Sequence, residues 1–241
     1  MLNKENLEKF TKIQQTSIEN IVREYCQHLF LSYLYQNPNS EKLLFKGGTA
    51  LRIILKSPRF SEDLDFTGFN IDYKKVEALF ADTLANIEKT GINVEIIESK
   101  KTTGGYLGIA SFSAYGIKIR IQIEVSLRNK KDLNGIRILV ENDYIPAYTI
   151  VHLPIEDIIK EKLTALFARQ KPRDFYDYFF LLSGNYPLVK DKTNLKKTLK
   201  LLKESKINFR NELKKFLPVS HAMHFRDFTN ILEQKILGYK D

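Results

Sequence analysis

At 241 residues, with 43% hydrophobic side chains, 16 Phe and 12 Tyr, the chain can fill a sizeable core as one large domain or two modest ones. The absence of a long apolar run argues against a membrane-spanning helix, the polar start Met1–Phe10 lacks a signal-peptide core, and a single cysteine rules out an internal disulfide, so a cytoplasmic protein is expected. A formal net charge of +9 and a pI of about 9.3 point to a polyanionic partner and say nothing of the fold.

Residues 3–36 read as one or two helices, with Leu7, Phe10, Ile13, Ile21, Val22, Tyr25, Leu29 and Leu31 to Leu34 on an inward stripe. Cys26 lies in that apolar stretch and reads as a small core residue. Asn37-Pro38-Asn39-Ser40 ends the segment. Leu43 to Phe45 then reads as a short buried strand that breaks at Gly47-Gly48, followed by a helix over Thr49–Lys56 with Leu51, Ile54 and Leu55 inward. Adjacent glycines let the backbone approach a ligand, and a helix N-terminus offers unpaired N–H groups and a positive dipole end that suit phosphate.

Asp63 and Asp65 follow at i and i+2 on an expected second strand, which puts both carboxylates on one face and Leu64 and Phe66 on the other. Paired carboxylates without thiolate or imidazole are hard oxygen ligands of the kind that take phosphate-bound Mg2+. A loop at 67–70 leads to a helix over Tyr73–Lys89, with Gly91 placed to end it. Strand-like runs follow at 93–98, 106–115 and 117–127, the last two forming a hairpin through Tyr115-Gly116. In the third run Ile117, Ile119, Ile121 and Ile123 alternate with polar residues, so that Arg120, Gln122 and Glu124 share the opposite face. In 128–150, Asn134-Gly135 signals a turn, 136–140 a short strand and 142–149 a loop.

Pro154 opens a helix with Glu156 and Asp157 in its first turn. Lys162 falls inside its apolar stripe of Ile155, Ile158, Ile159, Leu163, Leu166 and Phe167, and Arg169 lies one heptad further on nearly the same side. Such a lysine either snorkels to the surface or is aimed at an anion. Pro172 starts the next helix, where Asp174 and Asp177 lie at i and i+3, a spacing that also fits capping or solvated acids. Between Tyr186 and Pro218 ten basic residues stand against three acidic ones on an amphipathic background, which is either a solvated face or a phosphate-tracking surface. His221 and His224 have no cysteine or third histidine beside them, which argues against zinc.

Gly-Gly, a helix, then Asp-x-Asp resembles the DNA polymerase β-like nucleotidyltransferase superfamily. The longer strings Phe45-Lys46-Gly47-Gly48-Thr49-Ala50-Leu51 and Arg59-Phe60-Ser61-Glu62-Asp63-Leu64-Asp65-Phe66 resemble more narrowly the AbiEii/MenT toxin nucleotidyltransferases of bacterial toxin–antitoxin systems, as do Glu161-Lys162-Leu163…Arg169 and Asp174-x-x-Asp177. The resemblance implies an α+β protein: a polymerase β-like domain over 1–152, a mixed sheet flanked by helices, followed by a C-terminal helical bundle over 153–241, with the active site in the cleft between them. It implies Asp63, Asp65 and Glu124 as ligands of one or two Mg2+ ions. Lys46, Gly47, Gly48, Thr49, Arg59, Ser61, Lys162 and Arg169 would bind an NTP. Asp174 would be catalytic, orienting the nucleophile, the metal or Lys162, with Asp177 secondary. It further implies an RNA acceptor, in the first place the 3′ end of tRNA, and a cognate antitoxin. A protein or small-molecule acceptor, or a catalytically silent nucleic-acid-binding module, are the alternatives.

Overall fold

The computed structural model describes residues 2–128, 134–205, 207–221 and 226–239. The described chain forms two compact units, Met1–Pro154 and Ile155–Asp241.

The first unit begins with α1 (Lys4–Gln14) and α2 (Ile18–Leu34), capped by the side chains of Asn3 and Ser17. Beyond them come β1 (Leu43–Lys46), α3 (Gly47–Leu55), β2 (Leu64–Phe69), α4 (Tyr73–Glu88), β3 (Asn93–Thr102), β4 (Gly105–Ala114), β5 (Ile117–Arg128), β6 (Ile136–Val140) and β7 (Tyr148–His152). The strands make one seven-stranded mixed sheet in the order β3-β4-β5-β2-β1-β7-β6. β2 runs parallel to β5 and antiparallel to β1, so two strands distant in sequence flank the Asp-x-Asp segment.

Several boundaries differ from expectation. The helix after the glycine turn starts at Gly47, two residues early, because Gly47 itself turns the chain at φ +85°. Asp63 lies one residue ahead of β2 rather than within it. The expected hairpin is one half of a three-strand meander, since β3 also pairs antiparallel with β4. Tyr115 and Gly116 both have positive φ at the two-residue β4–β5 turn, the backbone that matches strand twist.

The expected loop at 142–149 runs into β7 at Tyr148, which pairs in parallel with β1 at Phe45 and antiparallel with β6. Tyr35, just past α2, donates its hydroxyl to Leu43 O at 2.6 Å and Val151 O at 2.7 Å, which ties α2 to β1 and β7. Cys26 is fully buried in α2, and burial pushes its thiol up to about 12, so it is packing and no nucleophile.

The second unit contains α5 (Ile155–Arg169), α6 (Pro172–Ser183), a short 3-10 turn, α7 (Lys192–Glu204), α8 (Phe209–Phe216) and, as α9, Phe228–Leu237. Phe175, Tyr176, Phe209 and Phe228 form its aromatic centre, with Phe209 and Phe228 4.8 Å apart. His224 lies outside the described residues. Among the described residues no helix is long and apolar enough to cross a membrane.

Candidate active site

In the first unit the chemistry gathers where β1 gives way to α3. Strand register brings three residues into one row across the sheet: Lys46 on β1 pairs with Asp65 on β2, and Asp65 pairs with Glu124 on β5. Cross-strand partners share a face, so these three side chains are neighbours, and Asp63 precedes Asp65 by two residues. The other face of the same strands is core: Leu64, Phe66, Ile123 and Val125 are each at most 3% exposed. Glu124 is exposed and Asp63 and Asp65 are half-buried, so the row has access to solvent.

The glycine turn is built against this row without slack. A Cβ added at Gly47 would meet Asp65 Oδ2 at 2.0 Å, and one at Gly48 would meet Ser61 Oγ at 2.6 Å and Arg59 Nη2 at 2.8 Å. Thr49 donates its hydroxyl to Asp63 O, which fixes the start of α3 to the backbone just ahead of β2. Lys46 precedes α3 without capping it by side chain, which leaves the first N–H groups of the helix without that cap. Lys46, Gly47, Gly48, Thr49, Arg59, Ser61, Asp63, Asp65 and Glu124 are thus brought together where the sheet meets the N-terminus of α3.

The donors fit a hard divalent cation in kind and in register. Among the described residues, no three Asp, Glu, His or Cys side chains are drawn into a cluster able to hold an ion by themselves. Asp65 and Glu124, paired across β2 and β5, supply the hard oxygen donors that such an ion takes.

In the second unit α5 and α6 carry two ion pairs. Lys162 Nζ lies 2.7 Å from Asp177 Oδ2, with the two side chains 12% and 1% exposed. Lys162 therefore does not snorkel; it is held by a buried carboxylate. Arg169 donates from Nε at 3.0 Å and from Nη2 at 2.7 Å to the two oxygens of Asp174, a fork geometry. Asp174 also accepts from the Lys171 backbone N–H at 3.1 Å, at the third position of α6.

Of the three roles expected for Asp174, the contact with Lys162 is made instead by Asp177, and Asp174 is engaged by Arg169. One helical turn separates the two aspartates, and i, i+3 spacing alone did not say which cation each would meet.

Sequence reasoning also missed Arg52, Glu24 and Gln27, which brace the 57–62 loop from α3 and α2. Their only signal was polar residues inside an otherwise apolar helical stretch. Glu24 and Gln27 are nearly fully buried.

The sequence from 29 to 234 matches the model of a family described as nucleotidyl transferase AbiEii toxin, type IV toxin–antitoxin system. Among solved structures, a Helicobacter pylori protein described as a candidate nucleotidyltransferase aligns with a TM-score of 0.53 at 20% identity, covering 93% of this chain and 99% of its own. JHP933 from Helicobacter pylori aligns with a TM-score of 0.54 at 21% identity, covering 92% of this chain and 95% of its own. These likenesses establish a shared fold. No curated protein is similar enough in sequence to count as a relative.

Proposed function

Because this chain belongs to the AbiEii nucleotidyltransferase toxin family and is a nucleotidyltransferase, we propose that it moves a nucleoside monophosphate from an NTP to the 3′ end of an RNA, in the first place tRNA, in the cytoplasm. The observation that carries this is the registered row of Lys46, Asp65 and Glu124 beside the start of α3. The family description names a type IV toxin–antitoxin system, so a cognate antitoxin is the partner that follows.

Asp63, Asp65 and Glu124 would hold one or two Mg2+ ions. When bound, the metal neutralises triphosphate charge and acidifies an attacking hydroxyl. The backbone of Gly47 and Gly48 and the first turn of α3 receive the outer phosphates, where N–H groups and the helix dipole favour anions. Lys46, Thr49, Arg59 and Ser61 border the same turn and orient the nucleotide. Lys162, directed by its ion pair with Asp177, would offset charge on the triphosphate. Arg169, forked onto Asp174, would contribute to nucleotide binding, and Asp174 would orient the nucleophile or the metal. Transfer of this kind depends mainly on positioning and charge neutralisation, and these residue types supply both. The lysine-rich α7 offers an RNA acceptor contacts with phosphate that carry no sequence information.

The test incubates purified protein with Mg2+, total tRNA and each α-labelled NTP in turn, beside Asp63→Ala, Lys162→Ala and chelator controls. Label entering RNA from one preferred NTP, and lost in all three controls, is the expected result. Label in RNA that survives chelation would remove the metal from the mechanism. No label in RNA with any NTP would sink the RNA acceptor and direct the search to proteins and small molecules.

A further inference from the structure

The 57–62 loop between α3 and β2 is irregular, yet it carries Arg59 and Ser61, whose ends press on Gly48. With no strand or helix to shape it, its conformation depends on what its backbone carbonyls bond to. Four of them accept from side chains outside the loop. Arg52 Nη1 donates to Ser57 O at 3.2 Å and Pro58 O at 3.0 Å, and Gln27 Nε2 donates to Ser61 O at 3.0 Å and Glu62 O at 3.2 Å.

Arg52 is fully committed. Its remaining donors go to the two oxygens of Glu24 and, at 2.6 Å, to Gln14 Oε1, and its guanidinium lies 3.5 Å above the Phe60 ring centre. These five hydrogen bonds equal the five N–H groups a guanidinium has, so Arg52 has none left for a phosphate. Glu24 is in turn fixed by the Tyr144 hydroxyl at 2.7 Å, and Gln14 donates to that hydroxyl at 2.8 Å.

We infer that Arg52 and Glu24, with Gln27 as a second tether, are positioning residues for nucleotide binding: they hold the 57–62 loop so that Arg59 and Ser61 stay against the start of α3. This rests on the reading of that turn as the triphosphate site. Glu24 and Gln27 lie at i and i+3 on α2, so one side of a single helix braces both ends of the loop. Because the ends of Arg59 and Ser61 lie within 2.8 Å of where a Gly48 Cβ would stand, a displacement of the loop carries away the side chains that line the turn. Lysine cannot replace Arg52, since three donors on one nitrogen cannot span the loop carbonyls and the Glu24 carboxylate together.

Steady-state transfer by the full chain with Mg·NTP and RNA tests this in Arg52→Lys, Arg52→Gln, Glu24→Gln and Gln27→Leu, with thermal unfolding followed in parallel. The expected result is a KM for NTP raised about tenfold or more in both Arg52 variants and less in the other two, with kcat and the KM for RNA changed far less. Hydrogen exchange should show the 57–62 amides less protected in each. Folded variants of lower melting temperature but wild-type KM for NTP would overturn the inference and leave Arg52 a purely structural residue. Should the Arg52 variants not fold, Glu24→Gln and Gln27→Leu carry the same test. A wild-type protein that saturates with no Mg·NTP would sink the nucleotide reading of the turn, and this inference with it.

Discussion

A methyl group at Gly47 has two separate obstacles. The backbone there is left-handed, at φ +85°, and the new Cβ would fall 2.0 Å from an oxygen of Asp65 and 2.8 Å from its Cβ. Backbone strain costs on the order of 1 kcal/mol, and the larger effect is that Asp65 must leave its place opposite Glu124. At Gly48 the obstacles are the far end of Arg59 and the hydroxyl of Ser61, which can swing away. Gly47→Ala is therefore expected to lower kcat/KM for NTP by about 100-fold and Gly48→Ala by no more than about tenfold, an order that transfer assays on the two variants check directly. His28 shows a different kind of constraint. It is buried in α2 with Nδ1 2.7 Å from the Tyr148 hydroxyl; burial, with Glu24 opposing and Lys56 and Arg52 adding, pushes its pKa down to about 4. The unfolded chain takes up this proton near pH 6.5 and the folded chain only near 4, so the stability His28 contributes is complete above 6.5 and is lost as pH falls to about 4. Urea unfolding at pH 7, 5 and 4 should show a decline, at most about 3 kcal/mol from this residue, that His28→Gln flattens.

At the scale of elements, α5 and α6 face each other through charges as well as apolar side chains. Lys162 and Asp177 are both nearly buried, so Asp177→Asn leaves an ammonium without its countercharge and should cost about 3–5 kcal/mol in chemical denaturation. The double replacement Lys162→Met with Asp177→Leu should recover most of that stability, because an apolar pair can replace a buried ion pair at little cost. It should remain inactive in nucleotide transfer, which separates what the pair does for the fold from what Lys162 does for the substrate. A recovery of activity along with stability would make the pair structural only. The pair also marks where reading the sequence succeeded and stopped. Periodicity exposed Lys162 as a misplaced cation on an apolar face, but its partner depended on how α6 packs, which no spacing within α6 encodes. Likewise Ile117 to Ile123 announced β5 by strict alternation, whereas β7 was hidden: Tyr148 to His152 is buried at four of five positions, so it has no alternation to show, and its existence follows from pairing with β1 and β6, remote in sequence. The row of Lys46, Asp65 and Glu124 was legible only in part for the same reason. Asp65 and Glu124 stood out by their strand positions and Lys46 only through the family resemblance, while the register that aligns them is a tertiary fact.

At the scale of the whole molecule, charge is divided unevenly along the chain: the excess of basic residues concentrates between Tyr186 and Pro218, in the helical unit. On α7 the apolar residues Leu195, Leu199 and Leu202 are buried while Lys192, Lys196 and Lys200 are exposed at four-residue intervals on one side. These lysines border a surface depression of about 390 Å3, and the stripe is about 12 Å long at 1.5 Å per residue, the reach of a few nucleotides of backbone. Lys200 has a distant carboxylate in Glu204 at 3.8 Å, while Lys197 sits 4.0 Å from the centre of the Phe167 ring and is part of the packing. If the stripe follows RNA phosphates, Lys196→Glu combined with Lys200→Glu should weaken RNA binding more than about tenfold at low salt. The fall of affinity with salt should also become shallower, by about 0.7 in log–log slope for each lysine–phosphate pairing removed. Filter binding between about 50 and 200 mM salt reads both quantities, with Mg·NTP affinity as the control that should not move. A weaker affinity with an unchanged slope would mean that the substitutions disturbed the helix and not its hold on phosphate; an unchanged affinity would assign the acceptor to another surface and return these lysines to solvating the outside of α7.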